Sequence, residues 1–364
     1  MKILDIRERL VSIPLDEPLM AHVGGKFQWF THIPHVFCDV TTDDGITGTG
    51  YICSLSTTGM RALITMIDEM KPFLIGQDPE LSEEIFSKVR DSTAVLHWAG
   101  LVHFAMCAID CALWDIKGKA KGVPVYRLIG GLRNRIPAYA SGRLFRSRPF
   151  EELAPAAIRV VQMGFRMIKM NAGAHNIPEE IRRVKAVREA IGDSVELLVD
   201  LNEGANPAQA IRLGKAFEEF NIFWLEDPVP AENIMGSAEV AAALDVPVAA
   251  GELHSEKSDF RDLIVKRALD IMMIDVQRVG GISEWIKIAE MAEIFNVPVS
   301  THILTEVSCH LGSQLNCVVV EMMPWTEKVF TSPLKLEDGM LVIPEKPGLG
   351  IELDEEAMGR YAVI

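Results

Sequence analysis

A chain of 364 residues is long enough for two or three domains and a substantial core. With 49% apolar and 24% charged residues and no biased segment, it is neither disordered nor collagen-like. The 36 basic and 51 acidic residues leave a net charge of −15, a field that repels nucleic acid and anionic membrane surfaces, so an anionic substrate needs local positive charge or a metal.

The N-terminal stretch MKILDIRERLVSIPL lacks an apolar signal-peptide core. No apolar run approaches the roughly eighteen residues that span a bilayer, so a cytoplasmic protein is expected. Alternation over Lys2–Ile13 predicts a strand, followed by a long irregular segment holding Gly24, Gly25 and aromatics. His35–Thr42 and Gly48–Ile52 predict a hairpin around Asp43-Asp44-Gly45. Gly45, Gly48 and Gly50 are not a phosphate loop, because no helix signal follows them. Helical patterns run over Thr57–Phe73, Ser82–Ser92 and Leu101–Lys121, the last stopping before Gly122-Val123-Pro124. Together these make an α+β unit over residues 1–131. The six cysteines, of which only Cys107 and Cys111 are close in sequence, read as buried reduced thiols rather than zinc ligands or disulfides.

From residue 132 the texture changes. Short apolar runs alternate with amphipathic helical stretches: Ile136–Ala140, Met167–Met170, Val195–Val199, Ile222–Leu225, Val246–Ala250, Ile271–Ile274, Val297–Ser300 and Cys317–Val320. Eight such strands with helical connections fit a parallel (β/α) barrel over residues 132–321, although a doubly wound open sheet shares this local texture. The tail, 322–364, has strand-like pieces around Met340–Ile343 and is expected to pack back on the first unit.

Seven of these runs end on a residue that binds metals or moves protons. In order they are Lys169, Asp200, Glu226, Glu252, Asp275, His302 and Glu321, at intervals of 31, 26, 26, 23, 27 and 19 residues. If the repeat closes into a barrel, all seven reach one rim, where barrel active sites are built. Asp200, Glu226 and Glu252 form a hard oxygen set suited to Mg²⁺, whereas zinc would call for His or Cys. Without a cation, three converging carboxylates repel one another. Asp275 beside His302 fixes an imidazole tautomer and raises its basicity, which marks His302 as a general base. Glu321, if protonated, donates to a substrate oxygen, and Lys169 supplies positive charge for an anionic substrate. The set suits removal of a proton next to a carboxylate, with the metal stabilising the enediolate.

The strand ends MIKMN, LLVDLNE, FWLEDP, AAGE, MIDVQRVGG and VSTH, with the segment ALWDIKGKAKGVPVYRLIGG, closely resemble the mandelate racemase branch of the enolase superfamily over nearly the whole chain. The resemblance implies a (β/α)₇β modified TIM barrel under an α+β capping domain formed by the N-terminal segment and the C-terminal tail. It implies Mg²⁺ on Asp200, Glu226 and Glu252, an Asp275–His302 acid/base dyad, and Glu321 at the substrate carboxylate. Asn202 matches a position that touches the substrate α-hydroxyl. Capping loops within Pro18–His32 and Tyr51–Gly59 would shape specificity, with His22, Lys26 and Trp29 as candidate contacts. A homo-oligomer acting on a small carboxylate is also implied.

One departure is informative. Many relatives carry a second basic residue two positions after the first lysine, on the face opposite the histidine. Here that position is Asn171, which hydrogen-bonds but cannot act as a base at neutral pH. With a proton carrier on one face only, the pattern favours dehydration of an aldonate or aldarate to a 2-keto-3-deoxy acid. A racemase, epimerase or cycloisomerase of an α-substituted carboxylate is the alternative, and an inactive binding barrel a more remote one. Arg278 reads as a structural ion-pair partner, while Arg143 and Arg146 are candidates for a distal carboxylate.

Overall fold

The computed structural model describes residues 1–23, 26–96 and 98–363, with only the backbone described for 21–23, 26 and 27. The chain begins with an antiparallel sheet, β1 (Ile3–Val23), β2 (Lys26–Thr42) and β3 (Thr47–Cys53), in that spatial order. The irregular segment expected after Ile13 is instead a continuation of the hairpin, with Leu19 opposite Phe30 and Val23 opposite Lys26. Pro14 and Pro18 disguise it. The ladder slips between Pro14 and Leu19, and β1 is an edge strand, the setting in which proline costs no ladder bond. Gly24 and Gly25 lie outside the described residues.

Helices α1 (Thr57–Leu74), α2 (Ser82–Ser92) and α3 (Leu101–Lys121) follow, close to the predicted bounds. Ser56 caps α1 by accepting from Gly59 N–H, and Gly122 closes α3 in the left-handed region. β3 lies directly on α3. A Cβ at Gly50 would stand 2.0 Å from the Ala108 carbonyl oxygen, and one at Gly48 2.1 Å from that of Ala112. These glycines therefore serve close packing. Gly50→Ala is expected to cost about 1–3 kcal/mol through overpacking, read as a lower denaturant midpoint at unchanged slope.

After α4 (Val125–Leu128) the barrel begins. Its order is β4 (Arg135–Leu144), α5 (Phe150–Gln162), β5 (Met167–Asn171), α6 (Ile177–Ile191), β6 (Glu196–Asp200), α7 (Pro207–Phe217), β7 (Ile222–Glu226) and α8 (Ile234–Ala243). It continues with β8 (Val248–Ala250), α9 (Lys257–Lys266), β9 (Ile271–Asp275), α10 (Ile282–Ile294), β10 (Val299–His302), α11 (Thr305–Leu311) and β11 (Cys317–Met322). All neighbours in this series pair in parallel, and β11 pairs with β4, closing a (β/α)₇β barrel. Helix starts are written locally: Asn176 and Asn206 cap α6 and α7, each followed by proline in the first turn. Inside the barrel Tyr139, Met167, Leu198, Trp224, Met273 and Val319 form a packed plug beneath the rim.

The tail divides its attachments. β12 (Lys335–Glu337) and β13 (Met340–Val342) form a hairpin that pairs antiparallel with the start of β4, so this strand-like piece extends a barrel strand rather than the first sheet. Beyond α12 (Glu355–Arg360) the chain returns to the first sheet, where Ala362 bridges Val11.

Helix α3 joins the layers. Asp110 accepts from both Ser283 N–H and Ser283 Oγ, each at 2.8 Å, in the first turn of α10. Asp115 accepts from Thr49 N–H at 2.9 Å and Leu349 N–H at 2.8 Å. A second tie runs through His310 on α11: Tyr126 N–H donates to its Nδ1 at 3.2 Å, and its Nε2–H donates to the Leu349 carbonyl at 3.0 Å. Only a neutral imidazole does both, and burial lowers its pKa from 6.5 to about 4. Because the folded value lies below the unfolded one, the unfolded chain takes up this proton first as pH falls through 6.5, and stability is lost. The stability difference between wild type and His310→Gln should narrow by about 2 kcal/mol from pH 7 to pH 5 in denaturant titrations.

All six cysteines are buried, and Cys107 and Cys111 face each other along α3 with sulfurs 3.9 Å apart. Among the described residues no helix is long and apolar enough to cross a membrane.

Candidate active site

The strand ends deliver the seven rim residues around one cavity of about 430 Å³; Lys169, Asp200, Glu252, Asp275, His302 and Glu321 line it directly. Strand register sets much of the placement. Asn171, Asp200 and Glu226 stand side by side on β5, β6 and β7, and His302 stands beside Asp275. Glu252 is the exception: β8 ends at Ala250, and Glu252 follows two residues later, after Gly251. Gly251 has φ +128°, and a Cβ there would stand 2.6 Å from the Met273 carbonyl oxygen, so glycine lets this chain end pass close to β9.

The hydrogen-bond network assigns distinct roles. His302 Nδ1 faces Asp275 Oδ2 at 2.7 Å, while the other Asp275 oxygen accepts from the N–H groups of Gln277 at 2.7 Å and Arg278 at 3.1 Å. This leaves His302 Nε2 toward the cavity, 3.2 Å from Glu252 Oε2. Burial opposes the charged imidazole, but Glu252, Glu321 and the Asp275 bond outweigh it and raise its pKa to about 10.

Lys169 Nζ lies 2.6 Å from Glu226 Oε1, 3.1 Å from Glu321 Oε1 and 3.4 Å from Asp200 Oδ2, above the Tyr139 ring. Glu226 Oε2 accepts from Trp224 Nε1–H at 2.9 Å, so the barrel plug supports the site from below. Although burial raises its pKa, Glu321 is brought down to about 2 by Lys169, His302 and Ile303 N–H. These contacts favour its ionised form, in which it accepts from the Ile303 amide at 2.7 Å and orients Lys169.

Asn171 Nδ2 donates to Asp200 Oδ2 at 2.8 Å, and Asn202 N–H donates to Asp200 Oδ1 at 2.6 Å. Both asparagines line the cavity, and both orient the Asp200 carboxylate.

Asp200, Glu226 and Glu252 pass a test as a site for a hard divalent cation. Burial, together with the other acidic groups, raises the pKa of both Glu226 and Glu252. Glu252 Oε2 is buried and, although His302 Nε2 lies 3.2 Å away, accepts no hydrogen bond. The set is all-oxygen, which suits Mg²⁺. Among the described residues it is not drawn into a closed cage; Lys169 and His302 instead stand as counter-ions at 2.6 Å and 3.2 Å. A bound cation would take over part of that role and return His302 toward the neutral form that a base requires.

Strain gathers at the same rim. Of the non-glycine residues with positive φ, Asn202, Glu203, Asp227, Ile303 and Leu304 lie just past β6, β7 and β10. Ile303, at φ +40°, is β-branched and so rarely adopts this conformation.

The cap closes the cavity with Leu19, Met20, Cys53, Ser54 and Leu55, within both segments expected to carry specificity. Trp29 is not among them: it is 63% exposed and lines a separate outer groove. The side chains of His22 and Lys26 lie outside the described residues. Arg146 lines the cavity, whereas Arg143 lines a different, smaller one. Arg278 lines it with Nε 4.0 Å from Asp275 Oδ2.

Phe104, Ser141, Phe145, Gln277, Met323 and Trp325 also line it and escaped the sequence reading, as did the buried Asp227. Gln277 and Asp227 had a signal, their places just after Asp275 and Glu226 in the strand-end motifs MIDVQRVGG and FWLEDP. Gln277 Oε1 accepts from Cys53 N–H at 2.7 Å, tying the cap wall to the dyad strand.

Family models match two parts of the chain: the mandelate racemase / muconate lactonizing enzyme N-terminal domain over residues 24–130, and the enolase C-terminal domain-like model over 152–357. L-talarate/galactarate dehydratase of Salmonella typhimurium is 32% identical over 97% of this chain and 89% of its own. The 3,6-anhydro-alpha-L-galactonate cycloisomerase of Streptomyces coelicolor is also 32% identical, over 98% of this chain and 99% of its own. The solved structure of L-talarate dehydratase from Polaromonas sp. JS666, complexed with Mg and L-glucarate, superposes with a TM-score of 0.91 at 31% identity, covering 100% of this chain and 97% of that one.

Proposed function

Because the chain belongs to the mandelate racemase / muconate lactonizing enzyme family of the enolase superfamily, we propose that it is a Mg²⁺-dependent acid-sugar dehydratase, a hydro-lyase that converts an aldonate or aldarate to a 2-keto-3-deoxy acid. Asp200, Glu226 and Glu252 would hold the cation, which neutralises charge building on the substrate carboxylate. Lys169, oriented by Glu321, binds the same carboxylate. His302 Nε2, with Nδ1 held by Asp275, removes the proton from C2. The resulting imidazolium then returns that proton to the departing C3 hydroxyl. Water leaves, and the enol product tautomerises to the 2-keto acid.

The observation that carries this reading is the asymmetry of the walls. His302 stands on one side as a base with its own carboxylate, while Asn171 is a neutral amide already engaged with Asp200. One group that accepts and returns a proton on one face suffices for syn elimination, whereas a two-base racemisation needs a second carrier.

The test is a panel of aldonic and aldaric acids with Mg²⁺, scored for 2-keto-3-deoxy product. At least one acid should be dehydrated. Exchange of the C2 proton with D₂O without elimination would replace this reading with an epimerase or racemase.

A further inference from the structure

Four cationic side chains face the cavity. Three of them have a carboxylate of the chain within ion-pair distance: Lys169 has Glu226 at 2.6 Å, His302 has Asp275 at 2.7 Å, and Arg278 has the same Asp275 at 4.0 Å, a loose contact that leaves its Nε without a hydrogen bond. The fourth, Arg146, does not. It is only 7% exposed, yet among the described residues its guanidinium has neither a hydrogen bond nor an ion pair. Asp200 and Glu180 act on it only from a distance, and burial outweighs them, lowering its pKa below the ordinary value. Arginine nevertheless stays charged at neutral pH.

The placement of Arg146 is built rather than incidental. Its residue lies in the connection between β4 and α5, where its carbonyl accepts from Arg183 Nη2 at 3.2 Å and faces His175 Nε2 at 3.3 Å. The backbone is thus fastened from α6 while the side chain borders the cavity. A buried cation without a partner is unfavourable, and the five N–H donors of a guanidinium form a fork that matches a carboxylate. The reacting carboxylate would already be provided for by Lys169 and the cation that the acidic trio would hold. At a net charge of −15 the chain repels a dianion at long range, so a diacid needs a second local cation.

We infer that Arg146 receives a second carboxylate at the far end of the substrate, which makes the preferred substrate an aldarate, a sugar diacid, rather than an aldonate. This inference rests on the acid-sugar reading of the same cavity.

The experiment measures binding in Mg²⁺ by calorimetry. A His302→Asn background prevents turnover, and a stereochemical panel of six-carbon aldarates is compared with the matched aldonates. The tightest ligand should be an aldarate that binds at least tenfold better than its aldonate. Arg146→Gln should abolish that preference by weakening the diacid alone, and Arg146→Lys, which keeps the charge without the fork, should retain part of it. Equal binding of diacids and monoacids, a preference that survives Arg146→Gln, or no diacid binding would each overturn the inference. Weakening of both classes together would make Arg146 a counter-ion of Asp200. Arg146-dependent diacid binding without 2-keto-3-deoxy product from wild type would leave this inference standing and remove the dehydratase reading.

Discussion

His302→Asn is expected to lower turnover of the proposed acid-sugar substrate by about 10²–10⁴-fold, the contribution typical of a positioned general base. Asparagine retains a hydrogen-bonding group near Asp275 but cannot accept a proton at neutral pH. C2-proton exchange into D₂O should disappear together with elimination, because both begin with the same abstraction. The variant should still respond to Mg²⁺, since His302 is not among the three carboxylates assigned to the metal. Retained exchange in His302→Asn would mean that another group takes the proton, and would sink this assignment.

Glu252→Gln should remove the stabilisation of the protein by Mg²⁺. For wild type, a hundredfold excess over the dissociation constant corresponds to about 2.7 kcal/mol, visible as a rise in melting temperature. The metal-free variant is expected to be at least as stable as metal-free wild type. Burial and nearby acidic groups push the Glu252 pKa up, so its charge is disfavoured in the folded state, and a neutral amide of the same shape relieves that cost. Thermal melts with and without Mg²⁺ separate the two effects. An equal Mg²⁺ shift in wild type and variant would exclude Glu252 as a ligand.

What could be read from the sequence followed how local each signal was. The eight barrel strands were legible because each is a short apolar run between helical stretches, and their register then brings Asn171, Asp200 and Glu226 abreast. The second half of β1 was not legible, since Pro14 and Pro18 mimic a loop unless one knows that the strand lies at a sheet edge. Arg143 and Arg146 look equivalent in the sequence, and only the course of the chain leaving β4 places one in the cavity and the other outside it. Phe104, Met323 and Trp325 reach the cavity from separate parts of the chain, so no local pattern could join them. The contacts of Glu321 with Lys169 and the Ile303 amide join positions that are far apart in sequence.

Helix α3 has 15 of its 21 residues buried, and its acidic side chains hold β3, α10 and the tail at once. A cap fastened in this way cannot swing open as a rigid lid without breaking core contacts. In the proposed reaction, substrate entry and product release would therefore fall to smaller local movements, such as those of the Ser54–Ser56 connection, which borders the cavity. Backbone amides of α3 should exchange with solvent only on global unfolding, and those of the Ser54–Ser56 connection many times faster. Selection for faster release would then act on this connection, where changes leave the core of the cap untouched.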